Sequence, residues 1–130
     1  MSDGSGVKIL VADDDDLILS LVCRMLRALG CEVTGARNGR EALGCFEREG
    51  FDLVLTDLQM PYMDGWELAL RVKSRAPQMP VIAMTGMGRE EVMSRQGKSA
   101  LDQVLFKPLT RNQLDQAVAE AVESRRVKSG

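Results

Sequence analysis

The most informative absence in this sequence is that of histidine, which occurs nowhere among the 130 residues. Without an imidazole the chain has no histidine base for serine or cysteine catalysis and no histidine ligand for a metal. It also has no histidine of its own that would carry a phosphoryl group. These classes of protein are therefore excluded.

Cysteine is scarce, and its pattern is uninformative for chemistry. Cys23, Cys31 and Cys45 show no metal-ligand spacing and cannot all pair with one another. Cys23 lies in an apolar helical pattern, which predicts a core position. This usage is typical of a reducing compartment and predicts a cytoplasmic protein.

Long apolar runs and basic clusters are missing as well. No apolar run reaches the roughly 18 residues that span a bilayer, and the opening MSDGSG does not resemble a signal peptide. The net charge is −2, and no element gathers Lys and Arg as a nucleic-acid surface does. We therefore expect no direct binding to nucleic acid or to a membrane.

What is present has the size and composition of one globular domain. The Gly-, Ser- and Asp-rich residues 1–6 are predicted to be disordered, residues 7–124 to form the domain, and residues 125–130 to form a polar tail. Within the domain, short apolar runs alternate with segments of helical spacing. The predicted strands are 7–12, 32–36, 53–55, 81–84 and 104–106, and the predicted helices are 17–29, 40–49, 66–76, 89–97 and 111–124.

This alternation predicts a parallel sheet with helices on both faces. The fourth helix is the weakest, because only Val92 and Met93 anchor it, and we expect it to be the least firmly packed.

Polar residues stand where the predicted strands end. Asp13 and Asp14 follow the first strand, Asp57 the third, Thr85 the fourth and Lys107 the fifth. Because the carboxyl ends of parallel strands share one edge of the sheet, we expect these side chains to converge there. Two like charges about 4 Å apart repel by roughly 4 kcal/mol at an effective dielectric near 20, so three carboxylates need positive charge beside them.

Lys107 supplies one positive charge, and Mg²⁺ is the natural source of more, since it prefers oxygen ligands and leaves room for a phosphoryl oxygen. A nucleophilic carboxylate, a cation, a lysine and a hydroxyl form a set for phosphoryl transfer, with Asp57 as the nucleophile. Taken singly, some acidic residues have simpler roles. Asp15 and Asp16 suit the first turn of a helix, and Asp64 is a better helix cap than Asp57.

At this point the chain resembles the receiver domain of two-component response regulators. The matching motifs are VADDD, LVLTDLQMPYMDG, VIAMTG and FKP, and the similarity runs from about Lys8 to Val122. The resemblance implies a flavodoxin-like, doubly wound α/β fold with five parallel strands in the order 2-1-3-4-5 and five helices on both faces. It implies a phosphorylation switch that accepts a phosphoryl group from a sensor histidine kinase or phosphotransfer protein, and no enzyme acting on other substrates.

The resemblance also assigns roles by position. Asp14 and Asp57 would bind Mg²⁺ directly, Asp13 through water and Gln59 through its backbone carbonyl, while Asp57 would accept phosphate and Thr85 and Lys107 would contact the phosphoryl group. Receivers usually carry Tyr or Phe three residues before the lysine, and the ring couples the site to a changing surface. Here that switch position is Val104, and Phe106 does not match it. The surface expected to change is formed by the fourth helix, the fifth strand and the fifth helix.

Two other classes of protein share part of this pattern. One is a receiver-shaped docking module that does not cycle phosphate. The other is a haloacid-dehalogenase-like phosphatase, which needs a second aspartate where Gln59 stands. The sequence leaves open the downstream protein, a phosphorylation-dependent homodimer, and whether the chain acts alone or within a larger regulator or hybrid kinase.

Overall fold

A computed structural model describes residues 6–96 and 99–129 of the chain. Most of the predicted disordered segment, residues 1–5, lies outside the described residues, as does Gly97 at the predicted end of the fourth helix.

Five strands alternate with five helices, as the apolar pattern predicts. The strands are β1 (Lys8–Ala12), β2 (Glu32–Ala36), β3 (Leu53–Asp57), β4 (Val81–Thr85) and β5 (Gln103–Phe106). The helices are α1 (Asp16–Ala28), α2 (Gly39–Arg48), α3 (Gly65–Arg75), α4 (Arg89–Gln96) and α5 (Arg111–Ser129). All neighbouring strands pair in parallel, in the order β2-β1-β3-β4-β5, which confirms the predicted flavodoxin-like fold.

The sheet separates two apolar layers, because successive side chains of a strand point to opposite faces. On β1, Ile9 and Val11 pack on one face with residues of α1 and α5. Leu10 and Ala12 pack on the other face with residues of α2, α3 and α4. Both faces of the central strands are thus buried, which is why these strands are apolar throughout.

Acidic caps fix where two helices begin. Asp15 Oδ1 accepts hydrogen bonds from the backbone N–H of Leu17 at 2.9 Å and of Ile18 at 3.2 Å. Asp64 Oδ1 accepts one from the backbone N–H of Glu67 at 2.9 Å. The predicted helix-start role of Asp15 and the predicted cap at Asp64 are both confirmed.

The structure corrects two details of the prediction. Helix α5 continues to Ser129, so the predicted end of the last helix near Ser124 was wrong. Residues 125–128 include neither glycine nor proline, the two residue types least favourable inside a helix. Met93 is 52% exposed, so among the α4 residues whose side chains are described only Val92 anchors the helix in the core, against the predicted pair.

Candidate functional site

The carboxyl edge of the sheet brings three charged side chains into direct contact. Lys107 Nζ lies 2.9 Å from Asp13 Oδ2 and 3.3 Å from Asp57 Oδ2. Asp13 follows β1, Asp57 ends β3 and Lys107 follows β5, so three separate strands position this group. The predicted convergence at the strand ends therefore holds for these residues.

Both carboxylates are withdrawn from solvent and hydrogen-bonded to backbone. Asp13 is fully buried and Asp57 is 7% exposed. Asp13 Oδ1 accepts a hydrogen bond from the backbone N–H of Asp15 at 2.9 Å, and Asp57 Oδ1 accepts one from the N–H of Leu58 at 2.7 Å. These bonds hold each carboxylate in one orientation toward the lysine.

The electrostatics of the group are set by burial and by its like charges. Burial raises the pKa of Asp57, and the nearby Asp13 carboxylate raises it further, while Lys107 opposes both effects. Burial by itself lowers the pKa of Lys107, but its hydrogen bond to Asp13 and the charges of both carboxylates outweigh this, so the pKa is raised. The surroundings therefore favour the positive charge of Lys107 and disfavour the negative charge of Asp57.

A third carboxylate completes a cluster that fits a small divalent cation. Ligand oxygens of Asp13, Asp14 and Asp57 all lie within 4.8 Å of one another, and Asp14 is exposed to solvent. Two oxygens bound to one Mg²⁺ at about 2.1 Å would lie roughly 3 to 4.2 Å apart in octahedral geometry. The cluster therefore needs only a small contraction, or one bridging water, to match this ion.

The cluster opens into a cleft of about 450 Å³. Its lining residues are Asp13, Asp14, Asp15, Ile18, Asp57, Gln59, Gly86 and Lys107. Gln59 is exposed at this rim, where the resemblance expects it. Sequence reasoning did not assign Ile18 or Asp15 to the cleft, although their places in the turn after β1 and at the start of α1 would have suggested it.

Among the residues predicted to hold Mg²⁺ or to contact the phosphoryl group, Thr85 alone does not line the cleft. It is fully buried at the end of β4, one residue beyond Met84, the register partner of Asp57. Its Oγ1 accepts a hydrogen bond from the backbone N–H of Met87 at 3.0 Å. The hydroxyl is thus close to the site in the sheet but is engaged with the loop that leads to α4.

Val104 lies away from the charged group, in register with Ala83 on β4. It is partly buried against the apolar layer beneath α2, α3 and α4. Phe106, on the same face of β5, lies beneath the guanidinium of Arg89, whose Cζ is 4.3 Å from the ring centroid. Sequence reasoning missed this contact, because Arg89 and Phe106 are distant in the chain.

The loop after Asp57 is held by a close approach of backbones. The N–H of Gly65 donates to the carbonyl of Leu58 at 3.0 Å. A Cβ on Gly65 would overlap the carbonyl oxygen of Asp57, so this position has no space for a side chain. Gly65 therefore lets the start of α3 pack directly against the backbone of Asp57.

A flavodoxin-like sheet with buried carboxylates and a lysine at its carboxyl edge is the architecture expected of a phosphoryl-accepting switch domain. The family model for the response regulator receiver domain matches residues 9–119. The chain belongs to this family, whose members are signalling switches of two-component systems rather than enzymes of the usual kind. Receiver domains bind Mg²⁺ at an acidic pocket, and Asp13, Asp14 and Asp57 form a cluster of carboxylates among the described residues of this chain.

Relatives occur in sensor kinases and in transcriptional regulators. The chain is 33% identical to sensor histidine kinase RcsC of Escherichia coli, over 91% of this chain and 12% of that protein. It is 36% identical to transcriptional regulatory protein ZraR of Klebsiella oxytoca, over 95% of this chain and 28% of that protein. A solved response regulator receiver domain from Clostridium thermocellum is 31% identical, with a TM-score of 0.86 over 93% of this chain and 98% of that one.

The chain spans a small part of these curated relatives. Its similarity is therefore to their receiver domains.

Among the described residues, no helix is long and apolar enough to cross a membrane.

Proposed function

We propose that this chain is a cytoplasmic phosphorylation switch that accepts one phosphoryl group on Asp57. The observation that carries the proposal is the contact of Lys107 with both Asp13 and Asp57 at the carboxyl edge of the sheet. Burying such charges costs stability, and apolar residues of similar volume would often stabilise a fold as well or better. A role in phosphoryl transfer is the best explanation for the presence of these charged residues in a buried site.

Each residue of the site has a separate role in the proposed phosphoryl transfer. A carboxylate oxygen of Asp57 attacks phosphorus on the phosphohistidine of the donor, the P–N bond breaks, and its electron pair stays on the imidazole nitrogen. Lys107 contacts the phosphoryl oxygens and offsets their charge, and Thr85 turns its hydroxyl toward one of them. The backbone hydrogen bond from Leu58 keeps Asp57 aimed into the cleft.

Mg²⁺ would be held directly by Asp14 and Asp57, by Asp13 through water and by the backbone carbonyl of Gln59. When bound, this ion would neutralise charge on the transferring group. The three clustered carboxylates support the assignment, because a hard cation with oxygen ligands relieves their mutual repulsion.

The phosphoryl group would then shift an existing equilibrium between two conformations. Thr85 and Lys107 connect the site to β4 and β5, and α4 is thinly anchored beside them. We therefore propose that α4, β5 and α5 form the surface that changes and meets a downstream protein. Val104, at the usual position of the coupling aromatic residue, has no ring that can swing between two positions.

The donor would approach across an apolar surface beside the cleft. Leu17 is 83% exposed and Leu21 54% exposed on α1. Ile18 lines both the acidic cleft and an adjoining apolar cavity of about 320 Å³ that reaches Pro108. We propose that the protein carrying the phosphohistidine covers this surface, because it must place its imidazole over Asp57.

A small phosphodonor tests the chemistry without the protein donor. Incubation with acetyl phosphate and Mg²⁺ should add one phosphate, read by intact mass, and EDTA should prevent the addition. Asp57→Asn should abolish it. Asp64→Asn is the matched control, since asparagine caps helices about as well as aspartate and this variant should label normally. Labelling that persists in Asp57→Asn refutes the assignment.

The docking surface is tested by comparing two donors. Leu21→Asp should slow transfer from a phosphorylated phosphotransfer domain while leaving labelling by acetyl phosphate unchanged. Leu70→Asp places the same charge on α3, at a leucine that is 59% exposed, and should affect neither reaction. Equal rates for Leu21→Asp and the wild-type chain with the protein donor would contradict this surface.

The alternative is a receiver-shaped docking module that does not cycle phosphate. The complete contact among Asp13, Asp57 and Lys107 supports cycling instead, because docking alone does not require a buried like-charge pair.

A further inference from the structure

Helix α4 is attached to the rest of the domain by an unusual set of side chains. Among its residues whose side chains are described, Val92 alone is fully buried. Arg89, at the first turn, places Cζ 4.3 Å from the ring centroid of Phe106. Arg95, near the other end, places Cζ 4.2 Å from the ring centroid of Trp66. Each end of the helix is thus held by an arginine over an aromatic ring.

Phe106 belongs to the rigid side of the phosphoryl site. It is the register partner of Thr85 in the sheet. The next residue, Lys107, donates its backbone N–H to the carbonyl of Thr85 at 2.7 Å. The ring of Phe106 is therefore fixed to the strands that carry the two residues expected to touch the phosphoryl group.

Arg89 is connected to the same site by a loop that can move. Thr85 Oγ1 accepts a hydrogen bond from the backbone N–H of Met87 at 3.0 Å. Gly86 and Gly88 flank Met87, and open space surrounds both glycines where a Cβ would stand. A turn of the Thr85 hydroxyl toward a phosphoryl oxygen must either pull Met87 along or break this bond. In the first case the loop shifts and in the second it loses a restraint, so either outcome changes how Arg89, which follows the loop, is held.

We propose that the contact between Arg89 and Phe106 couples the phosphoryl site to helix α4 in this protein. The proposal rests on phosphorylation at Asp57 as argued above. The contact bridges a fixed strand and a movable loop, so it holds the first turn of α4 in the resting chain and opens when Thr85 turns. Val104 lies on the same face of β5, but it has neither the charge nor the ring for this part.

Hydrogen exchange of the backbone amides of α4, measured by mass spectrometry, tests the coupling. Each sample is compared with and without acetyl phosphate and Mg²⁺, and the phosphorylated fraction is read by intact mass. In the wild-type chain, phosphorylation should raise exchange about two- to fivefold at the α4 amides from Val92 onward, which donate to the carbonyls at the start of the helix. This is the range expected for loss of an exposed cation–π contact.

Two variants should mimic the open state. Arg89→Gln and Phe106→Leu should each show the raised exchange without phosphate and little further change with it. The double variant should exceed neither, because both substitutions remove one contact. Arg95→Gln removes the other arginine–aromatic contact of the helix and should keep a response to phosphate of wild-type size, as should Val104→Ala.

The outcomes separate this inference from the function on which it rests. If Asp57 is labelled but phosphorylation changes amide exchange in Arg89→Gln as strongly as in the wild-type chain, the proposed coupling through Arg89 and Phe106 is wrong, while the proposed phosphorylation at Asp57 is supported. If the wild-type chain is not phosphorylated, both the proposed function and the proposed coupling are wrong. Arg89 is exposed, so its substitution tests the contact even where Phe106→Leu disturbs packing.

Discussion

Lys107 Nζ lies closer to Asp13 than to Asp57, at 2.9 Å against 3.3 Å. The lysine is therefore a structural counter-ion for the fully buried Asp13 as well as a group for the phosphoryl site. Removing it leaves two carboxylates facing each other with their main positive partner gone. This relationship predicts a stability effect that can be measured without any phosphodonor.

Lys107→Met should lower the free energy of unfolding by about 3 kcal/mol, the lower end for breaking a buried ion pair, since the cleft admits solvent. Urea denaturation in EDTA measures this. Added Mg²⁺ should restore more stability to the variant than to the wild-type chain. Lys73→Met is the control, because Lys73 pairs with the exposed Asp102 and such pairs contribute about 0 to 1 kcal/mol. Equal losses in the two variants would contradict the counter-ion role.

Asp57→Asn should stabilise the metal-free protein at neutral pH by about 1 kcal/mol, because burial and then the nearby Asp13 carboxylate disfavour the charge of Asp57 more than Lys107 offsets. The sign follows from the raised pKa of Asp57: the folded chain binds this proton more tightly than the unfolded chain does. Ionised Asp57 therefore lowers stability above its unfolded pKa, and this cost disappears as the pH falls below it.

Urea denaturation of Asp57→Asn and wild type in EDTA, at neutral pH and near pH 4, tests this. The gain should shrink at the lower pH. Asp64→Asn, an exposed cap in which asparagine is an equal substitute, should change little at either pH. A loss of stability in Asp57→Asn at neutral pH would show that the repulsion has been misjudged.

Apolar runs and strand-end residues were sufficient to predict a parallel sheet and the convergence of the charged residues at its edge, whereas the strand order was predicted only by the resemblance to receiver domains. The sequence did not reveal that Thr85 is engaged by the loop rather than lining the cleft, since the hydrogen bond from the Met87 N–H to Thr85 depends on the path of that loop. Nor did it reveal that Leu17 and Leu21 are exposed. Both residues flank the apolar face of α1 that packs on the sheet, and from the sequence alone a flanking leucine can be either buried in the core or exposed to solvent. The contact of Arg89 with Phe106 joins distant segments and has no local pattern.

Tyr62 has a left-handed backbone conformation, with φ of 69°, and its ring is 79% exposed. For residues other than glycine this conformation is less stable by roughly 1 to 2 kcal/mol, and an exposed ring makes few contacts that could offset the cost. Tyr62→Gly should therefore be about 1 kcal/mol more stable than Tyr62→Ala, which keeps the steric cost. Thermal or urea denaturation of the two variants measures the difference, and equal stabilities would mean that the loop relaxes in Tyr62→Ala.

Gly65→Ala should damage both stability and phosphorylation, because the new Cβ would overlap the carbonyl oxygen of Asp57 and force the start of α3 away. We expect the free energy of unfolding to fall by roughly 1 to 3 kcal/mol, as for other overpacked positions, and labelling by acetyl phosphate to be slower.

Gly44→Ala is the matched control in α2. There the Cβ would meet only the flexible end of Arg48, and alanine favours a helix over glycine by up to about 1 kcal/mol. Gly44→Ala should thus gain stability and label normally. Normal labelling of Gly65→Ala would show that the placement of Asp57 does not depend on the close packing of α3 against its backbone.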